Sequence, residues 1–172
     1  MDEIKLSIVS TLYKSEQTVE EFIRRIGHAA ESLVGDKFEI ILVNDGYEDK
    51  SIELAINMSK KIRNIKIIDL SRNFGHHKAL MAGLSYSKGE KVFLIDSDLE
   101  EEPELLQSFE EKLKRTNADV VYGVQSSRKG GIFEKYSGAI YFKLFKFITN
   151  LNYPENVLTA RLMKRKYVNA LL

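Results

Sequence analysis

Two aspartates at the end of an apolar run are the residues of this sequence best suited to metal or phosphate chemistry. Asp96 and Asp98 follow the run Val92–Ile95 and are separated only by Ser97. Such runs are typical of strands buried on both faces, and open α/β sheets hold ligands at the carboxyl ends of these strands. Two carboxylates at this spacing can share a divalent cation that also binds substrate phosphate oxygens. The alternative is a solvated acidic turn, where Asp is common.

The elements that would position these aspartates alternate between strand and helix. The predicted strands are Lys5–Leu12, Phe38–Val43, Ile65–Leu70, Val92–Ile95 and Ala118–Val124. The segments with apolar residues at helical spacing are Glu16–Val34, Ser51–Ile62, Lys78–Ser87 and Pro103–Arg115. We expect Ser15 to cap the first helix and Gly35 to end it. Alternation with short connections predicts an α/β fold, with a mainly parallel central sheet flanked by helices on both faces.

Composition excludes several classes of protein. The 172 residues are enough for one domain with a substantial core, and the formal net charge of +1 gives no whole-chain attraction to nucleic acid. The absence of cysteine excludes disulfides and thiolate metal sites. The amino terminus is acidic and runs directly into a strand, and no apolar run approaches the roughly 18 residues that span a bilayer. We therefore expect a cytoplasmic domain that binds no nucleic acid.

Polar residues follow each of the first four predicted strands. Thr11 and Tyr13 follow the first, Asp45 the second, and Arg72 and Asn73 the third. A tyrosine ring could cover a nucleobase, a carboxylate could accept hydrogen bonds from it, and an arginine could bind a diphosphate through two hydrogen bonds. Because carboxyl ends of parallel strands meet at one edge of a sheet, these groups are expected to surround one ligand.

Other nucleotide-binding and hydrolytic motifs are absent from the sequence. No G-x-G-x-x-G follows the first strand, and neither G-x-x-x-x-G-K-[ST] nor G-x-S-x-G occurs. Neither a dinucleotide fold, a P-loop nor an α/β-hydrolase elbow is therefore supported. His76 and His77 are adjacent, so they face different directions on a helix or strand and are expected as loop or pocket-edge groups rather than as metal ligands.

Four stretches of the chain resemble a known family. In order they read S-I-V-S-T-L-Y, V-N-D-G, L-S-R-N-F-G-H-H-K-A-L-M-A-G and F-L-I-D-S-D-L. This set resembles the inverting family-2 glycosyltransferases of GT-A fold, in particular bacterial members related to dolichol- and polyprenyl-phosphate sugar synthases. The resemblance covers nearly the whole chain. It implies a GT-A fold and transfer of a sugar from a nucleotide-diphospho-sugar, which we expect to carry uridine.

The resemblance assigns the donor-binding residues position by position. Thr11 and Tyr13 match the loop that holds the nucleobase, although the family more often has Pro at Thr11. Asp45 matches the second aspartate of Asp-Asp-Gly-Ser, which binds the base. The residues that match the segment beside the ribose and diphosphate are Arg72, Asn73 and Gly75.

The resemblance also implies a metal. Asp96 and Asp98 match the family's Asp-x-Asp motif, which binds Mg²⁺ or Mn²⁺ on the donor diphosphate. We expect Asp98 to be the direct ligand and the catalytic residue of the motif, with Asp96 facing the ribose or a metal-bound water. The metal would neutralise charge that develops on the departing nucleoside diphosphate.

The acceptor side departs from the family. The implied acceptor is a polyprenyl phosphate or a cell-envelope glycan, and relatives carry a Gly-Asp-Phe-Arg-Leu-Met-like segment where this chain has Leu158–Met163. Thr159 stands in place of the aspartate, so the catalytic base is unassigned. Glu155 is the nearest carboxylate and the candidate base, and Arg161 could hold an acceptor phosphate.

An aromatic and lysine-rich segment precedes that position. Residues 132–150, IFEKYSGAIYFKLFKFITN, would form an amphipathic helix able to lie in a membrane interface, or to pack on protein. We expect one GT-A domain over residues 1–172, truncated at its carboxyl end and peripheral at the inner membrane face. The alternatives are a nucleotidyltransferase, although Leu12–Gln17 lacks the required glycine-rich loop, or an inactive nucleotide-binding or membrane-partner domain.

Overall fold

A computed structural model describes residues 3–46, 49–124 and 157–172. The strands are β1 Leu6–Leu12, β2 Phe38–Asn44, β3 Ile65–Asp69, β4 Lys91–Leu94, β5 Val120–Val124 and β6 Val157–Lys164. The helices are α1 Val19–Val34, α2 Ser51–Ser59, α3 His76–Tyr86, α4 Leu105–Thr116 and α5 Arg165–Leu171.

The strands form a six-stranded sheet in the order β3-β2-β1-β4-β6-β5. β1 pairs in parallel with both β2 and β4, and β2 pairs in parallel with β3. β6 runs antiparallel to β4, with Arg161 opposite Leu94. The α/β class and the mainly parallel sheet are therefore confirmed, whereas β6 was not among the predicted strands.

The chain divides into two compact units. One comprises Met1–Val121 and Ala160–Leu172, and the other comprises Tyr122–Thr159. In the second unit Gly123 lies against Leu158, so closely that an added Cβ would stand 2.8 Å from Leu158 Cδ1. The predicted membrane-facing segment 132–150 and the candidate base Glu155 lie outside the described residues.

The central strands bury both of their faces. Ile8 and Leu12 of β1 pack into the core that α1 covers, while Val9 points to the opposite core under α3. β2 repeats this alternation, with Ile40 on the α1 side and Ile41 on the α3 side. Because successive side chains of a strand point to opposite faces, an unbroken apolar run needs a helical layer on each side.

The start of α1 differs from the prediction. The helix begins at Val19 with Thr18 as its N-cap residue, and Ser15 contributes its carbonyl, which accepts the Thr18 and Val19 N–H groups at 3.0 and 2.8 Å. The Ser15 side chain therefore does not cap the helix. Gly35 ends the helix as predicted, at a φ of 63° that favours glycine.

A buried carboxylate ties the strands together at their amino ends. Glu39 Oε1 accepts hydrogen bonds from Ser7 Oγ at 2.6 Å and from the Lys88 N–H at 2.7 Å. Its Oε2 accepts from Lys66 Nζ. Burial alone would raise the pKa of the Glu39 carboxyl, but the hydrogen bonds from Lys66, Ser7 and Lys88 outweigh it and lower the pKa below the ordinary 4.5.

We expect Glu39 to stabilise the fold in a pH-dependent way. Its pKa is lowered on folding, so its contribution is complete above about pH 4.5, its unfolded value, and is lost as the pH falls through the folded pKa. Glu39→Gln should therefore lower the free energy of unfolding at pH 7, and the gap to wild type should shrink below pH 4.5. Urea titrations across pH 3–7 measure this, with the exposed Glu111→Gln as control. A gap independent of pH would contradict it.

Two helix glycines should respond oppositely to alanine. An added Cβ at Gly27 in α1 meets only Ile40 Cδ1, at 3.9 Å, whereas at Gly83 in α3 it would lie 2.4 Å from Val9 Cγ1. We expect Gly27→Ala to stabilise by up to about 1 kcal/mol through helix propensity. Gly83→Ala should destabilise by about 1–3 kcal/mol through overpacking. Urea denaturation checks both, and a more stable Gly83→Ala protein would contradict the close packing of α3 on the sheet.

Candidate functional site

Two adjoining cavities lie at the carboxyl ends of β1, β2 and β4. The first, about 150 Å³, is lined by Thr11, Tyr13, Ser15, His76, Asp96, Ser97 and Asp98. The second, about 200 Å³, is lined by Thr11, Tyr13, Asp45, Asn73 and His76. The two cavities share Thr11, Tyr13 and His76, so they form one concave edge. Six of the predicted site residues line this edge. That edge is where parallel sheets hold ligands.

The first cavity rests on hydroxyl groups. Ser97 Oγ donates to the Thr11 carbonyl at 2.7 Å and lies 2.7 Å from Ser15 Oγ. The Ser15 N–H in turn donates to Ser51 Oγ at 3.0 Å, and Thr18 Oγ1 donates to the Ser97 carbonyl at 2.8 Å. Loops that follow β1, β2 and β4 are thus held together by side chains that are themselves largely buried.

The two aspartates after β4 have different surroundings. Asp98 is exposed, and its Oδ1 accepts the Glu100 N–H at 2.9 Å, which holds the turn. Asp96 Oδ1 is buried and has no hydrogen-bond partner among the described residues. His76 Nε2 stands 3.7 Å from this oxygen, while His76 Nδ1 lies 3.3 Å from Thr11 Oγ1.

That unpartnered oxygen tests whether a metal fits. A buried carboxylate oxygen without a donor is unfavourable, and a cation would relieve this cost. Asp96 and Asp98 supply the hard oxygen ligands that Mg²⁺ and Mn²⁺ prefer. The described residues contain no group of three or more His, Asp or Glu side chains that could hold a metal ion. The two carboxylates therefore fit a hard divalent cation only as part of its shell, and substrate phosphate oxygens or water would have to supply the remaining ligands.

Asp45 organises the loop that precedes α3. Its Oδ1 accepts the Phe74 N–H at 2.8 Å and its Oδ2 accepts the Gly75 N–H at 3.0 Å, and the residue is only 4% exposed. The carboxylate keeps further acceptor capacity toward the cavity that it lines. Asp45 therefore holds the loop before α3, and its contact with a base stays a prediction.

Gly46 allows the same loop to approach β2. It has a φ of 63°, and an added Cβ would stand 2.2 Å from the Arg72 carbonyl carbon and 2.6 Å from Asn73 N. Only glycine fits this conformation and spacing. The turn Asn44-Asp45-Gly46 thus positions Arg72 and Asn73 beside the second cavity by backbone contact.

Arg72 lies outside both cavity linings. It is exposed, and its guanidinium carbon stands 4.8 Å from the centre of the Phe74 ring. Gly75 takes a φ of 97° and serves as the N-cap of α3, which places His76 at the first position of that helix. The predicted segment therefore separates into Asn73 at the cavity, Arg72 on its rim and Gly75 as the entry to α3.

β6 positions the predicted acceptor residue. Arg161 lies opposite Leu94, the last residue of β4 and two positions before Asp96. The neighbouring Ala160 N–H donates to Glu101 Oε2 at 2.9 Å, which ties the acidic turn after Asp98 to β6. Arg161 itself does not line either cavity.

A third cavity, of about 220 Å³, lies at the opposite end of the sheet between Leu6, Leu33 and Leu106. Its buried carboxylate, Glu110, is already paired with Lys91 and with Lys114. This carboxylate is thus neutralised by two lysines, unlike Asp96. We therefore place the functional site at the carboxyl edge of the sheet.

Sequence reasoning missed the roles of two serines. Ser15 was expected to cap α1, and Ser97 was noted only as the residue between two aspartates. Both bring a hydroxyl to strand ends that become neighbours once β1 and β4 pair, and that adjacency was the available signal. His76 was expected at a pocket edge, and it lines both cavities. No helix within the described ranges is long and apolar enough to cross a bilayer.

Comparison with known proteins identifies relatives. The family model described as glycosyl transferase family 2 matches residues 7–172. A Mycobacterium tuberculosis protein named as a glycosyltransferase is 45% identical over 169 residues, covering 98% of this chain and 49% of its own length. The undecaprenyl-phosphate 4-deoxy-4-formamido-L-arabinose transferase of Salmonella paratyphi B is 32% identical, covering 98% and 51%. The chain thus spans about half the length of these curated relatives.

Solved structures share the fold. The Pyrobaculum calidifontis mannosyltransferase in complex with GDP-Man and Mn²⁺ matches 97% of this chain and 46% of its own, with a TM-score of 0.67 and 15% identity. The Mycobacterium tuberculosis glucosyl-3-phosphoglycerate synthase in complex with UDP matches 94% and 57%, with a TM-score of 0.65 and 20% identity. At these identities the likeness establishes the GT-A fold alone.

We expect Asp45→Asn to destabilise the fold. An amide has one acceptor oxygen, so it can accept only one of the Phe74 and Gly75 N–H groups and turns its own NH₂ toward the other. Leaving a buried donor unpaired costs about 1–3 kcal/mol, which urea denaturation would measure. Asp36→Asn, at an exposed acid in the turn after α1, is the matched control and should leave stability unchanged. Equal stability of Asp45→Asn and wild type would show that this carboxylate does not hold the loop.

Proposed function

The chain belongs to glycosyl transferase family 2, and we propose that it transfers a sugar from a nucleotide-diphospho-sugar in a metal-dependent, inverting reaction. The observation that carries this proposal is the buried, unpartnered Asp96 Oδ1 in a cavity that also contains Asp98 and the Tyr13 loop. A carboxylate oxygen in that state suits a site completed by a cation and an anionic ligand.

The donor would occupy the two adjoining cavities. Tyr13 is 51% exposed, so its ring can cover a nucleobase without rearrangement of the core. Asp45 and Asn73 offer an acceptor and an amide beside it. Arg72, next to Asn73 in the chain, is exposed and would turn its guanidinium from the Phe74 ring toward phosphate. The diphosphate would then extend toward Asp96 and Asp98. A uridine donor is our preferred choice because a structural neighbour is a UDP complex.

Asp98 and Asp96 would hold Mg²⁺ or Mn²⁺. Asp98 is exposed and accessible for direct ligation, and Asp96 is held beside it by the buried Ser97. When bound, the metal would supply positive charge to the departing nucleoside diphosphate. A structural neighbour was solved with Mn²⁺ and GDP-Man, which supports a divalent ion in such a fold.

The acceptor is proposed to be a polyprenyl phosphate, with a cell-envelope glycan as the other candidate. A relative is named as an undecaprenyl-phosphate 4-deoxy-4-formamido-L-arabinose transferase, and Arg161 on β6 could hold the phosphate. In an inverting transfer the acceptor oxygen attacks the anomeric carbon as the bond to the diphosphate breaks. An anionic phosphate needs no base to attack, which is compatible with Thr159 in the usual aspartate position.

Contact with a membrane follows from a lipid-linked acceptor. We propose that residues 132–150 make that contact, since their lysines and aromatic residues suit a headgroup interface. Binding to vesicles with and without anionic lipid would test the contact separately from donor binding.

The central test is calorimetric titration of nucleoside diphosphates with and without Mn²⁺. We expect Mn²⁺ to raise the affinity for UDP, and Asp98→Asn to reduce that gain by about tenfold or more, because a metal ligand is lost. Binding of UDP without metal should not weaken, since Asp98 does not support the Tyr13 loop and the loss of its charge removes a repulsion of the diphosphate.

Asp36→Asn is the control, since it removes an exposed acid in the turn between α1 and β2. It should bind UDP and Mn²⁺ as wild type does. Wild-type protein whose affinity for every nucleoside diphosphate is unaffected by Mg²⁺ and Mn²⁺ would refute metal-dependent donor binding.

A further inference from the structure

Two buried serines link the loop that carries Tyr13 to the turn that carries the aspartates. Ser15 is 1% exposed and Ser97 is 2% exposed, and their hydroxyl oxygens are 2.7 Å apart. They belong to the exits of β1 and β4, which are paired in parallel up to Val9 and Leu94. Beyond Val9 and Leu94 the two strands are no longer paired, so side chains rather than strand pairing hold the two exits together.

The direction of these hydrogen bonds follows from the carbonyl. The Thr11 carbonyl can only accept, so the single Ser97 hydroxyl hydrogen is committed to it at 2.7 Å. The Ser15 hydroxyl hydrogen is then donated across the 2.7 Å contact to Ser97 Oγ, and the Tyr13 carbonyl at 3.1 Å is the acceptor to which it can turn instead. Ser15 Oγ also accepts the Tyr13 N–H at 3.3 Å.

The two serines therefore support different parts of the site. Without the Ser97 hydroxyl, Ser15 still contacts Tyr13 and still donates its N–H to Ser51, so the Tyr13 loop keeps these hydrogen bonds. The β4 exit would keep the Thr18 contact to the Ser97 carbonyl but lose its side-chain tie to β1. Without the Ser15 hydroxyl, the Tyr13 backbone loses both of its contacts to that side chain.

We propose that Ser97 is a positioning residue that fixes the Asp96 and Asp98 carboxylates against β1, and that Ser15 fixes Tyr13 in the same way. This inference rests on the proposed function, because it assigns the two serines to the metal half and the base half of one donor site. Metal ligands must be held within about 0.5 Å of their working geometry, and buried hydroxyl networks provide that restraint.

The test separates the two halves by measuring UDP binding with and without Mn²⁺. For Ser97→Ala we expect the affinity gain on adding Mn²⁺ to fall about tenfold, with metal-free binding within about twofold of wild type. For Ser15→Ala we expect metal-free binding to weaken about tenfold and the gain on adding Mn²⁺ to persist. A merely structural serine would weaken both measurements alike.

Ser7→Ala is the matched control, since Ser7 is a fully buried, hydrogen-bonded serine at the other end of β1. It should lower the melting temperature without altering either affinity. Thr18→Val removes the hydroxyl that contacts the Ser97 carbonyl, and it should reduce the Mn²⁺ gain in the same sense as Ser97→Ala, which keeps the test valid if Ser97→Ala does not fold.

Equal losses with and without Mn²⁺ in Ser97→Ala and Thr18→Val, or no loss in either, would overturn the assignment of Ser97 while leaving the proposed function intact. Wild-type protein that binds no nucleoside diphosphate under any metal condition would overturn both. If Ser97→Ala lowers only the gain on adding Mn²⁺ and Ser15→Ala lowers only metal-free binding, the result supports both this inference and the proposed function.

Discussion

Every side chain of β1 is buried between two helical layers, so polar groups at its carboxyl end must find partners on the loops that follow its neighbours. Ser97 provides the decisive contact, because its hydroxyl satisfies the Thr11 carbonyl at the point where the β1–β4 ladder has ended. Ser15 and Thr18 then add contacts from the start of α1. The site is therefore built by satisfying buried backbone groups, and the Tyr13 loop and aspartates acquire fixed positions as a consequence.

The loop after β2 is held by a carboxylate and a glycine instead of by hydroxyl groups. Asp45 accepts two consecutive backbone N–H groups of the loop before α3, and Gly46 permits a backbone approach that any side chain would block. The cost of burying a carboxylate is offset because both of its oxygens receive donors. Asp45 and Gly46 thus shape the second cavity through contacts within the protein itself.

The spacing of apolar residues was enough to predict β1 to β5 and the helices α1 to α4, because that spacing reflects which faces of each element are buried. It did not reveal β6, whose antiparallel partner β4 is about sixty residues away and whose run carries Arg161 and Lys164. The sequence also indicated that Thr11, Asp45 and Asp98 gather at one edge, since each follows a strand of a mainly parallel sheet. The Ser15–Ser97 contact was not predicted, since pairing of β1 with β4 only brings the two strand ends near each other and the contact itself depends on how the following loops pack.

Charge around the first cavity supports the cation that we propose there. Asp96 and Asp98 line this cavity together with His76, the first residue of α3, and α3 has no acidic residue in its first turn. A diphosphate is favoured near the helix amino terminus but repelled by the aspartates. Like charges 4 Å apart cost about 4 kcal/mol at an effective dielectric of 20, more than an exposed helix end returns. In the proposed reaction, a divalent ion held by these carboxylates would turn the repulsion into attraction, so the aspartates that repel the donor by themselves would help to hold it.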